Sequence, residues 1–282
     1  MASVKDIKLR VRAVKNTQQI TKAMKMVAAA RIKRAEAKVK SSRPYTEKMR
    51  KMVEEVVGLS EEPNPFFIAK TAAKKTALLL VTADKGLCGA YNANLIRVTQ
   101  QFLNQNQNRE IHLLTVGNKG RSFFSKRNIN ISNSFQISFY PEFHEAQNIA
   151  ELLMKNFVDG IWDEIHIIYS QFISAMHQKP QQIQLLPLSA ESSRNKREFL
   201  FEPDPESVLK SLLPKFISVL IYNVLLEARA SELGARLVAM GNATDNAKKL
   251  IDALTLQFYR ARQESITREI LEVASGSEAL KG

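Results

Sequence analysis

The sequence predicts an α/β fold combined with a coiled coil: two long terminal helices pair antiparallel around a central Rossmann-like α/β domain. Three observations predict it. The first segment is glycine-free and rich in strong helix formers, the last segment carries an apolar stripe of coiled-coil period, and β-rich apolar runs alternate with helix-compatible stretches between them. We assign 1–57 to the N-terminal coiled-coil helix, 70–205 to the central domain and 208–276 to the C-terminal helix.

The N-terminal helix begins with apolar residues at alternating three- and four-residue steps. These are Val4, Ile7, Val11 and Val14. The polar stretch Asn16–Gln19 interrupts the stripe, and a second stripe in shifted register is predicted to follow. Its members are Ile20, Met24 and Val27. Pro44 is expected to kink or divide this helix, because proline lacks an N–H and crowds the preceding turn.

The C-terminal helix has the sharpest periodicity in the chain. Its fifteen stripe positions are Leu212, Phe216, Val219, Asn223, Leu226, Ala230, Leu233, Leu237, Met240, Thr244, Ala247, Ile251, Leu254, Phe258 and Ala261. Thirteen of them are apolar, where a hydrophobic content of 45% would place about seven. A 3.5-residue period sustained over this length indicates a coiled-coil helix. Gly234 and Gly241 weaken it by about 1 kcal/mol each relative to alanine.

The central segment has short apolar runs typical of buried strands. They are Thr76–Thr82, Ile111–Val116, Ile165–Tyr169 and Ile183–Leu186. Helix-compatible stretches at 92–107 and 145–158 separate them, which predicts a parallel sheet covered on both faces. Linkers are expected at Gly58–Ala69 and Pro203–Pro205.

Chain order determines the direction of helix pairing. The first helix enters the central domain at its C-terminal end and the second leaves from its N-terminal end, so a pair must run antiparallel. The second helix is longer, and its last turns, around Arg262–Ala274, are expected to extend alone beyond Met1.

Positive charge is concentrated in the first helix. The net charge is +13, and residues 1–57 alone carry sixteen Lys and Arg against five Asp and Glu. A one-sided field of this kind favours an acidic partner: nucleic acid, an anionic membrane surface or acidic protein loops. A well-solvated helix face is the simpler explanation. A basic coiled-coil nucleic-acid-binding protein stays open as an alternative, although the helix has no aromatic residue before Tyr45 and no recognised reading module.

The sequence offers little for catalysis or cofactor binding. Cys88 is the only cysteine, which excludes an intrachain disulfide and a cysteine-based zinc site, and the four histidines are scattered. The glycine-containing stretches Asp84–Asn92 and Gly117–Gly120 match neither the phosphate-loop nor the dinucleotide pattern, so tight strand-to-helix turns explain them. We therefore predict no catalytic residue, metal or cofactor. No apolar run approaches a membrane span and no apolar signal core is visible, which favours a cytoplasmic chain.

Two stretches resemble the gamma subunits, or central stalks, of rotary proton-translocating ATP synthases of the bacterial type. They are Asn16–Ala28 and Ala261–Glu272, the latter containing the specific pattern Ile-Thr-x-Glu-x-x-Glu. The resemblance continues through Thr82–Gly89, Leu185–Leu188 and Ala239–Asn246. The chain has neither the extra segment of chloroplast and cyanobacterial members nor the chloroplast cysteine pair, so we expect no thiol regulation.

The resemblance implies a non-catalytic rotor shaft. In the family, the shaft sits in a ring of three alpha and three beta subunits and rests, with the epsilon subunit, on the membrane c ring. Proton flow turns the shaft, which drives ATP synthesis, and hydrolysis drives the reverse turn. The implied location is peripheral, on the cytoplasmic side of a cell inner membrane or plasma membrane, with membrane association only through the complex and no nucleic-acid partner.

The resemblance also implies contact roles toward the alpha/beta ring. They fall on Met24, Arg236, Arg262, Gln263, Thr267 and Glu272. Packing in the helix seam explains Met24 equally well. Small residues such as Ala13 and Ala23 would give the shaft a slim surface, and long Lys and Arg side chains would slide over acidic loops while keeping their charged ends in water.

Overall fold

The structure, a computed structural model, describes residues 4–58, 64–69, 73–189, 202 and 204–279, with side chains through Ser277. Its elements are α1 (Val4–Val57), a 3₁₀ turn (Pro65–Phe67), β1 (Lys75–Val81), α2 (Tyr91–Gln105), β2 (Glu110–Val116), α3 (Asn118–Ser125), β3 (Ile131–Phe135), α4 (Phe143–Val158), β4 (Glu164–Phe172), β5 (Gln178–Leu186) and α5 (Pro205–Ala279). The predicted fold class is confirmed, because a long helix stands on either side of an α/β sheet in the chain. The predicted linkers Gly58–Ala69 and Pro203–Pro205 lie partly outside the described residues.

The chain divides into two compact units. The terminal unit comprises Met1–Val27 and Leu237–Gly282, and the central unit comprises Ala28–Arg236. Each long helix contributes to both units. The three segments expected from the sequence divide the chain differently and stay a prediction.

The central unit contains a five-stranded sheet in the order β3-β2-β1-β4-β5. β1, β2, β3 and β4 pair in parallel, whereas β5 runs antiparallel to β4. The expectation of a wholly parallel sheet is therefore wrong at this edge. The reason is the connection: a tight turn in which Ser174 and His177 exchange backbone hydrogen bonds is too short for a crossover. The opposite edge strand, β3, and helix α3 were absent from the predicted elements.

Apolar cores cover both faces of the sheet, as predicted. On one face, Leu78 and Leu80 pack with buried residues of α2 and α3. On the other face, Leu79 and its neighbours pack against α4 and α5, and α5 contributes Ile217, Ile221 and Leu225, each fully buried. α5 is thus a core helix of the sheet as well as the partner of α1.

Helices α1 and α5 pair antiparallel within the central unit. Three residues of each form an apolar cluster: Met49, Val53 and Val56 of α1 with Leu209, Leu213 and Phe216 of α5. Further along the pair, the Ser42 hydroxyl donates to Asn223 Oδ1 at 2.8 Å. As the residue number falls along α1, the partner number rises along α5, which confirms the predicted direction.

Pro44 does not divide α1, contrary to one of the two expectations for this residue. The helix is continuous from Val4 to Val57, and Pro44 itself is exposed. Val39 and Thr46 on either side of it are buried. Packing on both sides therefore maintains the helix across a residue that costs about 3 kcal/mol in a helix interior.

A buried carboxylate joins three elements of the central unit. The Arg43 guanidinium donates to Glu227 Oε1 from Nε at 3.0 Å and from Nη2 at 2.9 Å, and also to the Phe172 carbonyl at 2.6 Å. Burial raises the pKa of Glu227, although the bonds from Arg43 act in the opposite direction. The pair ties α1 and α5 to the end of β4.

α5 contains an 18-residue window that is long and apolar enough to cross a membrane by composition alone. The sequence predicts no such segment, because polar residues interrupt the apolar run within α5. Half of the window is buried within the protein, which fits the role of α5 as a core helix of the sheet.

The two glycines inside α5 lead to opposite predictions. A Cβ on Gly241 would meet only the flexible end of Lys25, with Cε 3.6 Å away, whereas a Cβ on Gly234 would lie 2.8 Å from the Ala175 carbonyl oxygen. Gly241→Ala should therefore stabilise the chain by about 0.5–1 kcal/mol through helix propensity. Gly234→Ala should destabilise it by about 1–2 kcal/mol through overpacking.

Urea unfolding of the two variants beside wild type measures both changes. The interpretation of the Gly234 contact fails if both alanine variants are stabilised by the same amount.

Candidate functional site

The terminal unit is built on a seam between α1 and α5. All eight predicted stripe positions of α5 in this unit are buried or half-buried. They are Leu237, Met240, Thr244, Ala247, Ile251, Leu254, Phe258 and Ala261. On α1, Val4, Ile7, Val11 and Val14 are likewise buried or half-buried. The predicted stripes of both helices are confirmed here.

The second stripe predicted for α1 is wrong at Ile20 and Val27, although its third member, Met24, is half-buried. Ile20 and Val27 are 61% and 48% exposed, whereas Gln18 is half-buried and Thr21 is 9% exposed. The first register thus continues through polar residues without a shift. It can do so because the Thr244 hydroxyl donates to Thr21 Oγ1 at 2.9 Å, which satisfies hydroxyl groups that the seam removes from water.

Met24 lies on the seam side of α1. It is half-buried, while its neighbours Ala23 and Lys25 are exposed. The Lys25 stem passes close to Gly241 of α5, where no side chain obstructs it. This position supports the packing role for Met24 and leaves part of its thioether side chain accessible to another protein.

The outer surface of α1 in this unit is strongly basic. Its seven cationic residues are all exposed: Lys5, Lys8, Arg10, Arg12, Lys15, Lys22 and Lys25. Asp6 is the one acidic residue among 4–27. A shallow cavity of about 460 Å³ opens on this surface. Its lining consists of Gln18, Gln19, Lys22, Lys25, Met26, Thr244, Asp245 and Lys248. The three ammonium groups outnumber the single carboxylate of Asp245, so the lining has a net positive charge that suits carboxylates presented by another chain.

The C-terminal end of α5 carries four of the six predicted contact residues. Arg262, Gln263, Thr267 and Glu272 are all exposed. From Arg262 to Ser277 every side chain is exposed except Ser265, which is half-buried. This exposure agrees with the expectation that the last turns extend alone. Met1 lies outside the described residues, so their extension beyond it stays a prediction.

This free end also exposes apolar side chains. Ile266, Ile270 and Val273 are 45%, 62% and 74% exposed, and their spacing of four and three places them on one face. A helix that presents such a stripe to water is poorly stabilised on its own. The end of α5 therefore has the character of a surface that another protein covers.

Arg236 is placed differently from the other predicted contact residues. Its side chain is 14% exposed, and its Nη1 donates to the Gly86 carbonyl at 2.9 Å. Its Nη2 donates to Glu232, which also binds Arg229. Sequence reasoning missed Arg229 and Glu232, although charged residues three and four positions apart within an apolar helical segment are a detectable signal.

The described residues show no constellation for metal or acid–base chemistry. None of their His, Cys, Asp and Glu side chains form a group of three or more that could hold a metal ion. Cys88 is buried, and burial raises the pKa of its thiol, which disfavours the reactive thiolate. Gly117 has φ 87°, and a Cβ there would lie 2.2 Å from the Thr82 carbonyl oxygen, so the turn after β2 requires glycine.

The hydroxyl pair in the seam can be tested by a double-mutant cycle. Thr21→Val and Thr244→Val should each destabilise the chain by about 1 kcal/mol, because each removes one side of a partly buried hydrogen bond. The double variant should cost less than the two single changes together, since both changes remove the same bond between the side chains. In either single variant the remaining hydroxyl keeps a backbone acceptor, Gln18 for Thr21 and Met240 for Thr244.

Thermal or urea unfolding of the four proteins gives the coupling energy between the two positions. Strictly additive changes would contradict the bond between the two hydroxyls.

Comparison with known proteins matches the chain over its whole length. Residues 3–280 match the family model described as ATP synthase. The ATP synthase gamma chain of Moorella thermoacetica is 44% identical over 283 residues, covering 100% of both chains. The gamma chain of Halothermothrix orenii is 42% identical over 289 residues, again covering 100% of both.

Solved structures give the same picture for the fold. A chain of the Tetrahymena thermophila mitochondrial ATP synthase central stalk and c-ring structure is 28% identical, with a TM-score of 0.64, covering 79% of this chain and 99% of that one. A chain of the Euglena gracilis mitochondrial enzyme, at 19% identity, has the same fold with a TM-score of 0.72, covering 98% and 94%. The nucleic-acid-binding alternative finds no support among these relatives. The chain belongs to the ATP synthase gamma chain family, the central stalk of that enzyme.

Proposed function

We propose that this chain is the non-catalytic rotor shaft that couples proton flow through a membrane c ring to ATP synthesis, or hydrolysis, at an alpha/beta ring. The observation that carries the proposal is the terminal unit. Its two helices bury an apolar seam between them and present a basic outer surface. A shaft needs this arrangement, because its internal cohesion must not depend on any one partner.

The basic surface supports contact with acidic loops that change as the shaft turns. Exposed ion pairs contribute about 0–1 kcal/mol each, since water and salt screen them. Such contacts attract the acidic loops but are weak enough to break as the shaft turns. Lys22, Lys25 and Lys248 around the shallow cavity are the cations best placed to receive carboxylates from a beta subunit.

The free end of α5 supports a second contact with the ring. Its exposed apolar stripe would be covered there, and Arg262, Gln263, Thr267 and Glu272 would form the polar part of the interface. We assign Met24 a mixed role in seam packing and partner contact. For Arg236, the hydrogen bonds to Gly86 and Glu232 favour a role inside the central unit, and its contact with the ring stays a prediction.

The proposed partners are three alpha and three beta subunits, an epsilon subunit and the c ring. No cofactor and no nucleic acid are involved. The chain would be peripheral, on the cytoplasmic side of a cell inner membrane or plasma membrane, and held there through the complex alone. The Tetrahymena neighbour supports this assembly, since it comes from a structure of an ATP synthase central stalk with its c ring. The division into helical segments 1–57 and 208–276 around a domain 70–205 is part of the proposal.

The purified chain should hydrolyse no ATP, and it should recover alpha and beta subunits from a membrane extract. Turnover that stays with the chain through successive purification steps would contradict the non-catalytic role.

The nucleic-acid alternative requires tight DNA or RNA binding that weakens steeply with salt. A salt titration of a labelled oligonucleotide against the same preparation measures that property.

The contact role of the free end can be tested with a double substitution. Arg262→Ala with Gln263→Ala should weaken the ring contact by about 1–2 kcal/mol, as truncation of interface residues commonly does. The yield of assembled complex and its ATP-synthesis rate should fall together, by roughly fivefold or more.

Arg121→Ala with Ser122→Ala provides the matched control, because both residues are exposed on α3. Equal losses in the two double variants, or none in either, would refute the assigned contact.

A further inference from the structure

The sheet of the central unit has a ligand crevice in the Rossmann sense. Strand order reverses direction between β1 and β4, and open parallel sheets bind ligands at the carboxyl ends of the strands at such a point. In this chain α5 reaches into that place. Three hydrogen bonds attach it: Arg236 Nη1 to the Gly86 carbonyl at 2.9 Å, the Ser231 hydroxyl to the Ser170 carbonyl at 2.9 Å, and the Tyr91 hydroxyl to the Ala228 carbonyl at 3.1 Å.

These bonds come from both sides of the reversal. Gly86 lies in the loop that follows β1, and Tyr91 is the first residue of α2. Ser170 lies near the carboxyl end of β4. One short stretch of α5, Ala228–Arg236, is therefore bonded to both sides of the crevice. The bonds use two backbone carbonyls and a tyrosine hydroxyl of the domain, not the backbone N–H groups that would hold a pyrophosphate.

Glu232 is the polar centre of this stretch. Its carboxylate is 5% exposed and accepts from Arg236 Nη2 through Oε1 and from Arg229 Nη1 through Oε2, both at 2.5 Å. The side chains of Arg229 and Arg236 are 9% and 14% exposed. Two guanidinium groups therefore share one buried anion, and without that anion they would be left as close, uncompensated cations.

The two arginines bind different loops of the domain. Arg236 holds Gly86 in the loop after β1. Arg229 donates to the Ser138 carbonyl at 3.4 Å and lies 4.7 Å from the centre of the Phe139 ring, both in the loop after β3. Arg31 of α1 lies 4.5 Å from the same ring. Through Glu232, both loops thus depend on a single side chain of α5.

We propose that Ala228–Arg236 is a built-in ligand of the nucleotide crevice, and that Glu232 is the positioning residue that joins the loops after β1 and β3 to α5. In this Rossmann-like domain, a helix occupies the crevice where a cofactor would bind in a dinucleotide-binding domain. Resting on the proposed function, one further consequence follows: torque passes between the α/β domain and α5 through this attachment.

Hydrogen exchange on the full-length chain tests the attachment without reference to rotation. Glu232→Gln keeps the shape of the side chain and removes its charge, so amides in Thr82–Ala90 and Gln136–Glu142 should exchange at least about tenfold faster. Glu227→Gln is the matched control, because Glu227 is equally buried on the same helix but binds Arg43 of α1. Unchanged exchange in both loops, or equal acceleration by the control, would overturn the proposal.

Two arginine variants keep the proposal testable if Glu232→Gln does not fold. Lysine keeps the charge but lacks the fork that reaches two acceptors. Arg236→Lys should accelerate exchange in the loop after β1 alone, and Arg229→Lys in the loop after β3 alone. A variant that accelerates both loops equally, or neither, contradicts the separate arms.

The consequence for torque is measured in membrane vesicles that contain the assembled complex. Glu232→Gln should lower protons pumped per ATP hydrolysed by about twofold or more, while hydrolysis itself remains near wild type. Complexes with the exposed pair Arg121→Ala and Ser122→Ala should keep the wild-type ratio. An unchanged ratio would overturn the torque role even if the exchange result holds. A chain that fails to recover alpha and beta subunits would refute the proposed function and leave the exchange result valid.

Discussion

The pairing of α1 with α5 is the constraint on which the rest of the structure depends. Within the central unit the pair is held by an apolar cluster, by the bond between Ser42 and Asn223 and by the buried Arg43–Glu227 pair. Within the terminal unit it is held by an apolar seam with one hydroxyl pair. α5 also packs in the core against one face of the sheet. The same helix therefore positions both α1 and the sheet.

The seam shows how much of such a structure periodicity can predict. The α5 stripe was readable because 3.5-residue spacing of apolar residues is itself the physical requirement for a seam. On α1, the apolar pattern predicts the seam only as far as Val14. Beyond it, Gln18 and Thr21 occupy seam positions because Thr244 supplies a polar partner, and no pattern within α1 contains that information. The apolar residues Ile20 and Val27 misled the prediction, since exposed apolar side chains are common on proteins that bind others.

Other differences have similar causes. β3 reads Ile-Ser-Asn-Ser-Phe, so an edge strand facing water lacked the apolar run that identified the inner strands. β5 runs antiparallel because a short hairpin connects it to β4, and the composition of a strand does not indicate its direction. Arg236 could be singled out through family resemblance, but its bonds to Gly86 and Glu232 required the folded arrangement of distant segments. Resemblance named the candidate contact residues, and geometry separated those that are exposed from Arg236, which is bonded within the central unit.

The bare apolar stripe at the end of α5 has a consequence for how the protein is made. Ile266, Ile270 and Val273 are exposed in the described part of the chain, so a newly synthesised chain presents an apolar helix surface to water until a partner covers it. Synthesis in excess over the other subunits would favour self-association and degradation of the surplus. The exposed apolar residues in the last turns of α5 therefore favour production of the subunits in balanced amounts.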